Sequence, residues 1–407
     1  MPIIEGQLAD IDGVRFGQIA IENGLIAAVG DRLGKSDHVF GDDCMIFAGM
    51  GDIHIHARED VSGRDKHKET FATASAAALH GGVVHVADMP NNPVPPIDDA
   101  TYAAKEALVL GQKLPVAFTL YAGIGPGTKP LKRAVPYKAY MGPSVGELYF
   151  SNLEQLDQTL AAYRGQNVSF HCEDPILLEK HKHAETHERR RPPECELSAT
   201  RFALAMIEKH RLIGKLCHYS VGEGLPLIRE AKAKGWAVTA EVTPHHVFFD
   251  TSQISDANRP WMQMNPPLRS ATDRAALLEA LRDGTADFLA TDHAPHSIDE
   301  KLKGISGQPH LDTYGPFVTW LIVEQGFSPE RIAAICCANP GAFVNPYQQD
   351  KHGRLLPGYV GSLTMLNLKK PTTVRREELK TKCGWSPFEG ITFPGSVAAV
   401  FHRGERI

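Results

Sequence analysis

The pattern of hydrophobic and polar positions differs between the ends and the middle of the chain. Residues 1–48 show short strand-like runs, and two of these runs flank Asn23-Gly24, a strong β-hairpin signal. After Pro346, short strands and turns return and continue to the end of the chain. We therefore predict that residues 1–48 and 347–407 together form one small, β-sandwich-like domain.

Between residues 49 and 346, apolar runs alternate with helical segments rich in Ala, Leu, Glu and Lys. Such alternation is typical of parallel strands joined by right-handed crossovers, and eight repeats predict an α/β fold, the (β/α)8 TIM barrel. The strand-like runs are 51–56, 83–89, 116–123, 135–141, 168–173, 212–220, 237–243 and 287–293. The helical segments are 68–80, 100–111, 153–164, 197–210, 226–235 and 272–283. The third helix is weakly indicated, because residues 123–130 are mostly Gly and Pro, and a helix at 314–324 would close the ring.

Composition excludes several classes of protein. Of the 407 residues, 43% are hydrophobic and 22% are charged, which is ordinary for a globular protein. The net charge of −5 argues against nucleic-acid or anionic-membrane partners, because such proteins carry a basic face. The apolar patch 317–323 is too short to span a membrane. Seven cysteines without a Cys-x-x-Cys motif favour a reducing compartment. Acidic residues near the start of the sequence do not fit a signal peptide, so we expect a cytoplasmic protein.

Metal-ligand side chains recur where the predicted barrel strands end. The first strand ends in His54-Ile55-His56, and because side chains alternate along a strand, both imidazoles point to the same face. Barrel enzymes carry their chemistry at these strand ends. The full set comes from five strands and consists of His54, His56, Lys138, His171, His218 and Asp292. We therefore predict a metal site at the barrel mouth.

Lys138 is unusual in such a set. A buried ammonium beside divalent cations is strongly unfavourable, through like-charge repulsion and desolvation. A lysine that has bound CO₂ as a carbamate is instead an anion with two oxygens, and it can bridge two metal ions. The surrounding histidines lead us to expect carboxylation of Lys138.

Several motifs together resemble the dihydroorotases of the amidohydrolase superfamily. His-x-His alone identifies only the superfamily, whereas the combination is specific. The motifs are Gly51-Asp52-Ile53-His54-Ile55-His56-Ala57-Arg58, Met89-Pro90-Asn91, Glu241-Val242-Thr243-Pro244-His245-His246, Asn265-Pro266-Pro267-Leu268-Arg269, Thr291-Asp292-His293-Ala294-Pro295-His296 and Trp385-Ser386-Pro387-Phe388-Glu389-Gly390.

The resemblance implies a role for each residue of the site. His54, His56 and Asp292 would hold one Zn²⁺, His171 and His218 would hold a second Zn²⁺, and carboxylated Lys138 would bridge the two ions. Arg58, Asn91 and His296 would bind the substrate, and Asn265 would contribute through its backbone. A guanidinium suits the carboxylate of dihydroorotate, because its two N–H groups match the two carboxylate oxygens.

A third metal ion near Cys217 and Glu241 is an alternative that we do not favour. Successive strand residues point to opposite faces, so Cys217 and His218 should not both point into the barrel without a bulge. We expect Cys217 to be a small core residue and Glu241 to form hydrogen bonds behind the metal ligands.

The implied activity is the reversible hydrolysis of (S)-dihydroorotate to N-carbamoyl-L-aspartate in pyrimidine biosynthesis. A metal-activated water would attack the ring amide, and Asp292 would act as general acid and base. A homo-oligomer is the expected state, and aspartate transcarbamoylase is a partner that the resemblance suggests.

Two departures keep other activities open. Residues 57–60 read Ala-Arg-Glu-Asp where the family usually has Leu-Arg-Glu-Pro, and the charged stretch 181–196 also resembles loops of allantoinases and hydantoinases. We interpret that stretch as a solvated loop over the barrel mouth. The alternatives are another cyclic amidohydrolase, namely allantoinase or dihydropyrimidinase/hydantoinase, and a non-catalytic homologue.

Overall fold

The computed structural model describes residues 1–143 and 148–407. Parallel strands succeed one another through the middle of the chain, each paired with the next. In order, these strands are Met50–Ile55, Val83–Asp88, Ala117–Leu120 continued by Ala122–Ile124, Tyr137–Tyr140, Asn167–His171, Ile213–Leu216, Val238–Val242 and Phe288–Leu289. We refer to them as the first to eighth barrel strands.

Two local features connect these strands into a ring. The third strand is interrupted at Tyr121, so that Ala117–Leu120 pairs with the second strand and Ala122–Ile124 pairs with the fourth. On the opposite side, a parallel bridge joins Ile55 to His293, and the N–H of His56 donates to the carbonyl of His293 at 2.7 Å. The segment after the eighth strand therefore lies beside the first, and the α/β barrel class is confirmed.

Helices fill the connections in most of the predicted places. Thr70, Asp98 and Ser270 cap three of them, each accepting a backbone N–H in a reciprocal capping box. The α-helices are Phe71–His80, Asp99–Gln112, Leu153–Leu160, Pro175–His181, His187–Arg190, Pro193–His210, Leu225–Ala233, Pro244–Phe248, Ala271–Asp283, Ile298–Leu302, Tyr314–Val323, Pro329–Ala333 and Asn339–Val344, with a π-helical turn at Ala334–Ala338. No helix lies between Ile124 and Tyr137, as the Gly- and Pro-rich sequence there indicated.

The expectation of a solvated loop at 181–196 is only partly correct, because most of these residues are exposed or half-buried but the stretch is not a loop throughout. Helix His187–Arg190 lies within this stretch, and helix Pro193–His210 begins there. Cys195 and Glu196 are buried, and Glu196 lies 3.4 Å from the guanidinium of Arg269. The charges that suggested solvent exposure are in part satisfied by partners distant in sequence.

Strands from both chain ends combine in one hydrogen-bonded sheet. Leu363–Asn367 pairs antiparallel with Cys44–Ala48, so the C-terminal part lies directly beside the N-terminal part. The hairpin at Asn23-Gly24 is confirmed, with positive φ at both turn residues. The other strands of the sheet are Ile3–Asp10, Gly13–Glu22, Leu25–Gly30, His38–Val39, Ser396–His402 and Glu405–Arg406, and a separate hairpin pairs Thr372–Thr373 with Thr392–Phe393.

The terminal sheet and the barrel share hydrophobic contacts. Phe47 and Met365 of the sheet belong to the same buried cluster as Val86 and Val242 of the barrel. The C-terminal ends of the barrel strands form the barrel mouth, and the polar site lies there. Within the described residues, none of the helices combines the length and apolar character needed to cross a bilayer.

Candidate active site

A compact pocket lies at the C-terminal ends of the barrel strands, where the sequence places the chemistry. Nine of the ten site residues that the sequence singled out line this one pocket, and the tenth, His296, contacts it through Arg58. The wall of the pocket consists of His54, His56, Arg58, Asn91, Lys138, Tyr140, His171, His218, Asn265, Asp292, Ala294, Ser306 and Gly307.

The first metal-ligand group forms around the carboxylate of Asp292. Nε2 of His56 and Nε2 of His54 lie 3.0 and 3.2 Å from Oδ1 of Asp292. The other ring nitrogens are already engaged: Nδ1 of His54 donates to Glu241, and Nδ1 of His56 lies 2.6 Å from Oδ1 of Asn91. These contacts direct both Nε2 atoms toward the same point.

The second group consists of His171 and His218. Nδ1 of His171 lies 2.9 Å from Nε2 of His218, while Nε2 of His171 donates to Glu173 at 2.8 Å. His218 also belongs to a cluster with His54 and Asp292 whose ligand atoms all lie within 4.8 Å of one another. The two groups are therefore adjacent.

Lys138 lines the same pocket as the two groups. Its side chain is completely buried, and Nζ stands 5.3 Å from the ring centre of Tyr140. Within the described ranges Nζ has no oxygen or nitrogen acceptor, and it interacts with the thiol of Cys217. The charge of Lys138 acts on the other five members of the set, namely His54, His56, His171, His218 and Asp292. A buried ammonium without an oxygen or nitrogen acceptor is costly, so this position favours a modified, anionic lysine.

The electrostatics of the pocket suit metal ligands. Burial, together with nearby cations, lowers the pKa values of His54, His56 and His218 well below the ordinary imidazole value, and burial also lowers the pKa of His171. Neutral imidazole is the form that binds a metal ion. The donor set, the orphaned Lys138 and the oriented imidazoles together fit a two-metal site.

The strand-alternation argument does not apply to Cys217, whereas the expected hydrogen bond of Glu241 behind the ligands is confirmed by its contact with His54. The sixth strand ends at Leu216, and His218 has a positive φ of 36°, so the backbone turns and regular alternation stops. As a result, Cys217 forms a second potential ligand cluster with His54 and Glu241, while His218 points to Asp292. Lys215 forms an ion pair with Glu241 from the barrel interior.

Arg58 lines the pocket, and His296 contacts its guanidinium. Arg58 is 3% exposed and donates to the carbonyl of Pro295 at 3.2 Å, and Nη2 lies 3.2 Å from Nε2 of His296. In the described parts of the chain, no carboxylate forms an ion pair with this guanidinium. Oδ1 of Asn265 is buried on the same pocket, likewise without a described hydrogen-bond partner.

The sequence did not identify several residues behind the ligands. Glu173 holds His171 and is itself paired with Arg191; burial opposes its ionisation, but Arg191 and His171 outweigh this and lower its pKa to about 2. Glu173 follows His171 by two residues in the sequence, which is a weak signal. The pairing with Arg191 could be seen only in the fold.

Comparison with known proteins agrees with this geometry. The model of the Amidohydrolase family matches residues 45–407. This chain belongs to the amidohydrolase family. The amidohydrolase is 32% identical to the dihydroorotase of Pyrococcus furiosus over 405 residues, covering 99% of this chain and 91% of the relative. It is also 32% identical to the dihydroorotase of Brevibacillus brevis over 408 residues, covering 93% and 92% of the two chains.

Solved structures share the fold of this amidohydrolase at lower sequence identity. The L-hydantoinase (dihydropyrimidinase) of Arthrobacter aurescens superposes with a TM-score of 0.89 at 24% identity, covering all of this chain and 95% of the other. The dihydropyrimidinase of Brevibacillus agri superposes with a TM-score of 0.86 at 20% identity, covering 100% and 94%. These structural similarities establish the fold. The substrate has to be inferred from the residues of the site.

Proposed function

We propose that this amidohydrolase is a dihydroorotase, which interconverts (S)-dihydroorotate and N-carbamoyl-L-aspartate in pyrimidine biosynthesis. The observation that carries the proposal is the buried guanidinium of Arg58 on the pocket wall. A buried cation needs an anion, and no carboxylate of the described chain forms a direct ion pair with it. The ring carboxylate of dihydroorotate is an anion of the right geometry.

The surroundings of Arg58 support a carboxylate as its ligand. His296 is neutral, since burial lowers its pKa far below the ordinary value, and it occupies only one N–H of the guanidinium. Nε of Arg58 donates to the carbonyl of Pro295, so the other N–H groups of Nη1 and Nη2 and the side chain of Asn265 are available for a planar, bidentate partner. The neutral rings of hydantoin and dihydrouracil would leave this cation unpaired.

We propose that two Zn²⁺ ions bind here. His54, His56 and Asp292 would hold one ion, His171 and His218 the other, with carboxylated Lys138 between them. When bound, such ions polarise an amide carbonyl and make water a better nucleophile at neutral pH. We favour two ions over three, because the ammonium of Lys215 already neutralises Glu241 in the additional cluster with Cys217.

The chain's own residues orient the substrate and transfer the proton. Arg58 and Asn265 hold the ring carboxylate, His296 positions the guanidinium of Arg58, and Asn91 restrains His56 beside it. Oδ1 of Asp292 takes up the proton of the attacking water and delivers it to the ring nitrogen that leaves. Burial raises the pKa of Asp292 to about 7, whereas a bound cation would favour the ionised carboxylate, which is the form that accepts the proton.

A substrate panel tests this proposal. Purified protein with measured zinc content is assayed with dihydroorotate, dihydrouracil, hydantoin and allantoin at equal concentrations. We expect turnover of dihydroorotate only, with about two zinc ions per chain. Preference for dihydrouracil or hydantoin would instead support the activity named for the structural neighbours, and a metal-loaded protein without any turnover would support a non-catalytic homologue.

A further inference from the structure

A second cavity of about 480 Å³ adjoins the catalytic pocket. The two cavities share Asn265 and Ser306 as wall residues. We call the second one the outer cavity, and its wall consists of Pro143, Pro175, Leu178, Glu179, Lys182, His187, Arg190, Arg191, Gln263, Asn265, Lys303, Gly304 and Ser306. A ligand that approaches the pocket from this side passes these residues.

The charges of the outer cavity are strongly biased although the chain as a whole is acidic, with a net charge of −5. Four cationic residues line it, against one carboxylate: Lys182, Arg190, Arg191 and Lys303 against Glu179. Lys182 pairs with Glu179, and Arg191 pairs with Glu173. Arg190 and Lys303 have no ion-pair partner in residues 1–143 and 148–407, so two positive charges remain unneutralised.

The wall that carries these two residues is held together by hydrogen bonds. His187, one turn before Arg190, lies 2.8 Å from the carbonyl of Met264. Gln263 donates to the carbonyl of Gly304, next to Lys303. Lys301 donates to the carbonyls of Gln263, Ile305 and Gly307 at 2.9, 2.8 and 2.9 Å. These bonds fix the backbone beneath both charges and connect it to the wall of the catalytic pocket.

We propose that Arg190 and Lys303 form an electrostatic entrance that selects anionic substrates before they reach Arg58. The inference rests on the proposed function, since it requires a substrate with carboxylate groups. Charge of one sign around a concave entrance raises the local concentration and arrival rate of oppositely charged ligands by about 10- to 1000-fold in favourable cases. Dihydroorotate carries one carboxylate and N-carbamoyl-aspartate carries two, so the dianion should be attracted more strongly.

The test is a charge reversal combined with a salt series. Arg190→Glu/Lys303→Glu is compared with Lys35→Glu/Lys370→Glu, which makes the same change in net charge at exposed residues outside both cavities. At low ionic strength we expect kcat/KM of the entrance variant to fall about tenfold with dihydroorotate and further with N-carbamoyl-aspartate, mainly through KM. In about 0.5 M salt the Debye length falls to about 4 Å, and most of the difference should disappear.

The results separate a failure of the electrostatic entrance from a failure of the proposed function. If the unmodified enzyme hydrolyses dihydroorotate but the entrance variant matches the Lys35/Lys370 control in kcat/KM and in salt dependence, the entrance is overturned and the proposed function stands. If the two substrates lose activity equally, and salt does not restore it, local damage rather than electrostatic selection is the cause, which also overturns the inference. A preference of the unmodified enzyme for a neutral ring would overturn both proposals.

Discussion

Nη2 of Arg58 lies 3.2 Å from Nε2 of His296 on one wall of the active-site pocket, and both side chains are almost fully buried. Nδ1 of His296 faces Oε2 of Glu300 at 3.3 Å. Nδ1 therefore carries the proton of the neutral ring, and Nε2 accepts the N–H of Arg58. The imidazole fixes one edge of the guanidinium, so the other edge can face a ligand.

Replacement of Arg58 tests this arrangement directly. Arg58→Met keeps a long apolar side chain but removes the charge, and we expect a loss of about 2–5 kcal/mol in the binding of the dihydroorotate transition state. Zinc content should stay near two ions per chain, because Arg58 is not a proposed ligand. The measurements are kcat/KM and metal analysis on the same sample. Nearly unchanged kinetics would remove the main support for a carboxylate-bearing substrate.

The second prediction concerns the proposed bridge. Lys138→Ala should lose most bound zinc and most activity, because the anionic bridge contributes to both metal groups. Short carboxylic acids such as acetate or propionate should restore part of the activity, since the cavity left by the side chain can hold a carboxylate. Intact-mass and metal analysis with and without the acid check this. A variant with two zinc ions and normal turnover would exclude carboxylation as a requirement.

Asp292→Asn tests the proton transfer. Asparagine has nearly the same shape and can still offer one oxygen to a metal ion, but it cannot accept the proton of the attacking water. General acid–base loss is worth about 10²–10⁴ in rate. We expect such a decrease in kcat for hydrolysis and for ring closure, measured on samples of known zinc content. If the variant keeps its full metal content and a wild-type kcat, another group must transfer the proton. His296 would then be the next residue to test.

The fourth prediction concerns acid stability and a pair of histidines away from the active site. The rings of His85 and His352 lie 4.8 Å apart, and both nitrogens of His85 lack a described partner. Burial lowers the pKa of His352 to about 4 and the pKa of His85 further, whereas unfolding returns both toward 6.5. The unfolded chain therefore binds more protons between pH 6.5 and 4, so stability falls as the pH falls through this window.

Urea denaturation of zinc-depleted protein at several pH values measures this effect. We expect His352→Gln to reduce the loss of unfolding free energy between pH 6.5 and 4.5 by about 2–3 kcal/mol relative to the unmodified chain. His183→Gln, which changes an exposed histidine, is the matched control and should leave the slope unchanged. An equal slope in all three proteins would show that His352 becomes protonated without cost in the folded state.

Local patterns in the sequence were sufficient for the architecture. Alternating strand and helix signals predict the barrel, because periodicity reflects which residues of a segment face the core. The Asn23-Gly24 turn predicts its hairpin, because Asn and Gly tolerate positive φ. The location of the site also follows from the sequence, because the polar residues stand at the strand ends and parallel strands of a barrel bring their C-terminal ends to one mouth.

Long-range contacts and irregular backbone decided the rest. Glu241 orients His54 across 187 residues of sequence, and Arg191 neutralises Glu173 from a stretch whose charges suggested a solvated loop. The turn at His218 brings both Cys217 and His218 into ligand clusters that include His54, against strand alternation. Periodicity describes a segment by itself, whereas these contacts depend on which segments meet and on a single backbone conformation at a strand end. For that reason the sequence determined where the site lies, and the tertiary structure determined how its side chains are held.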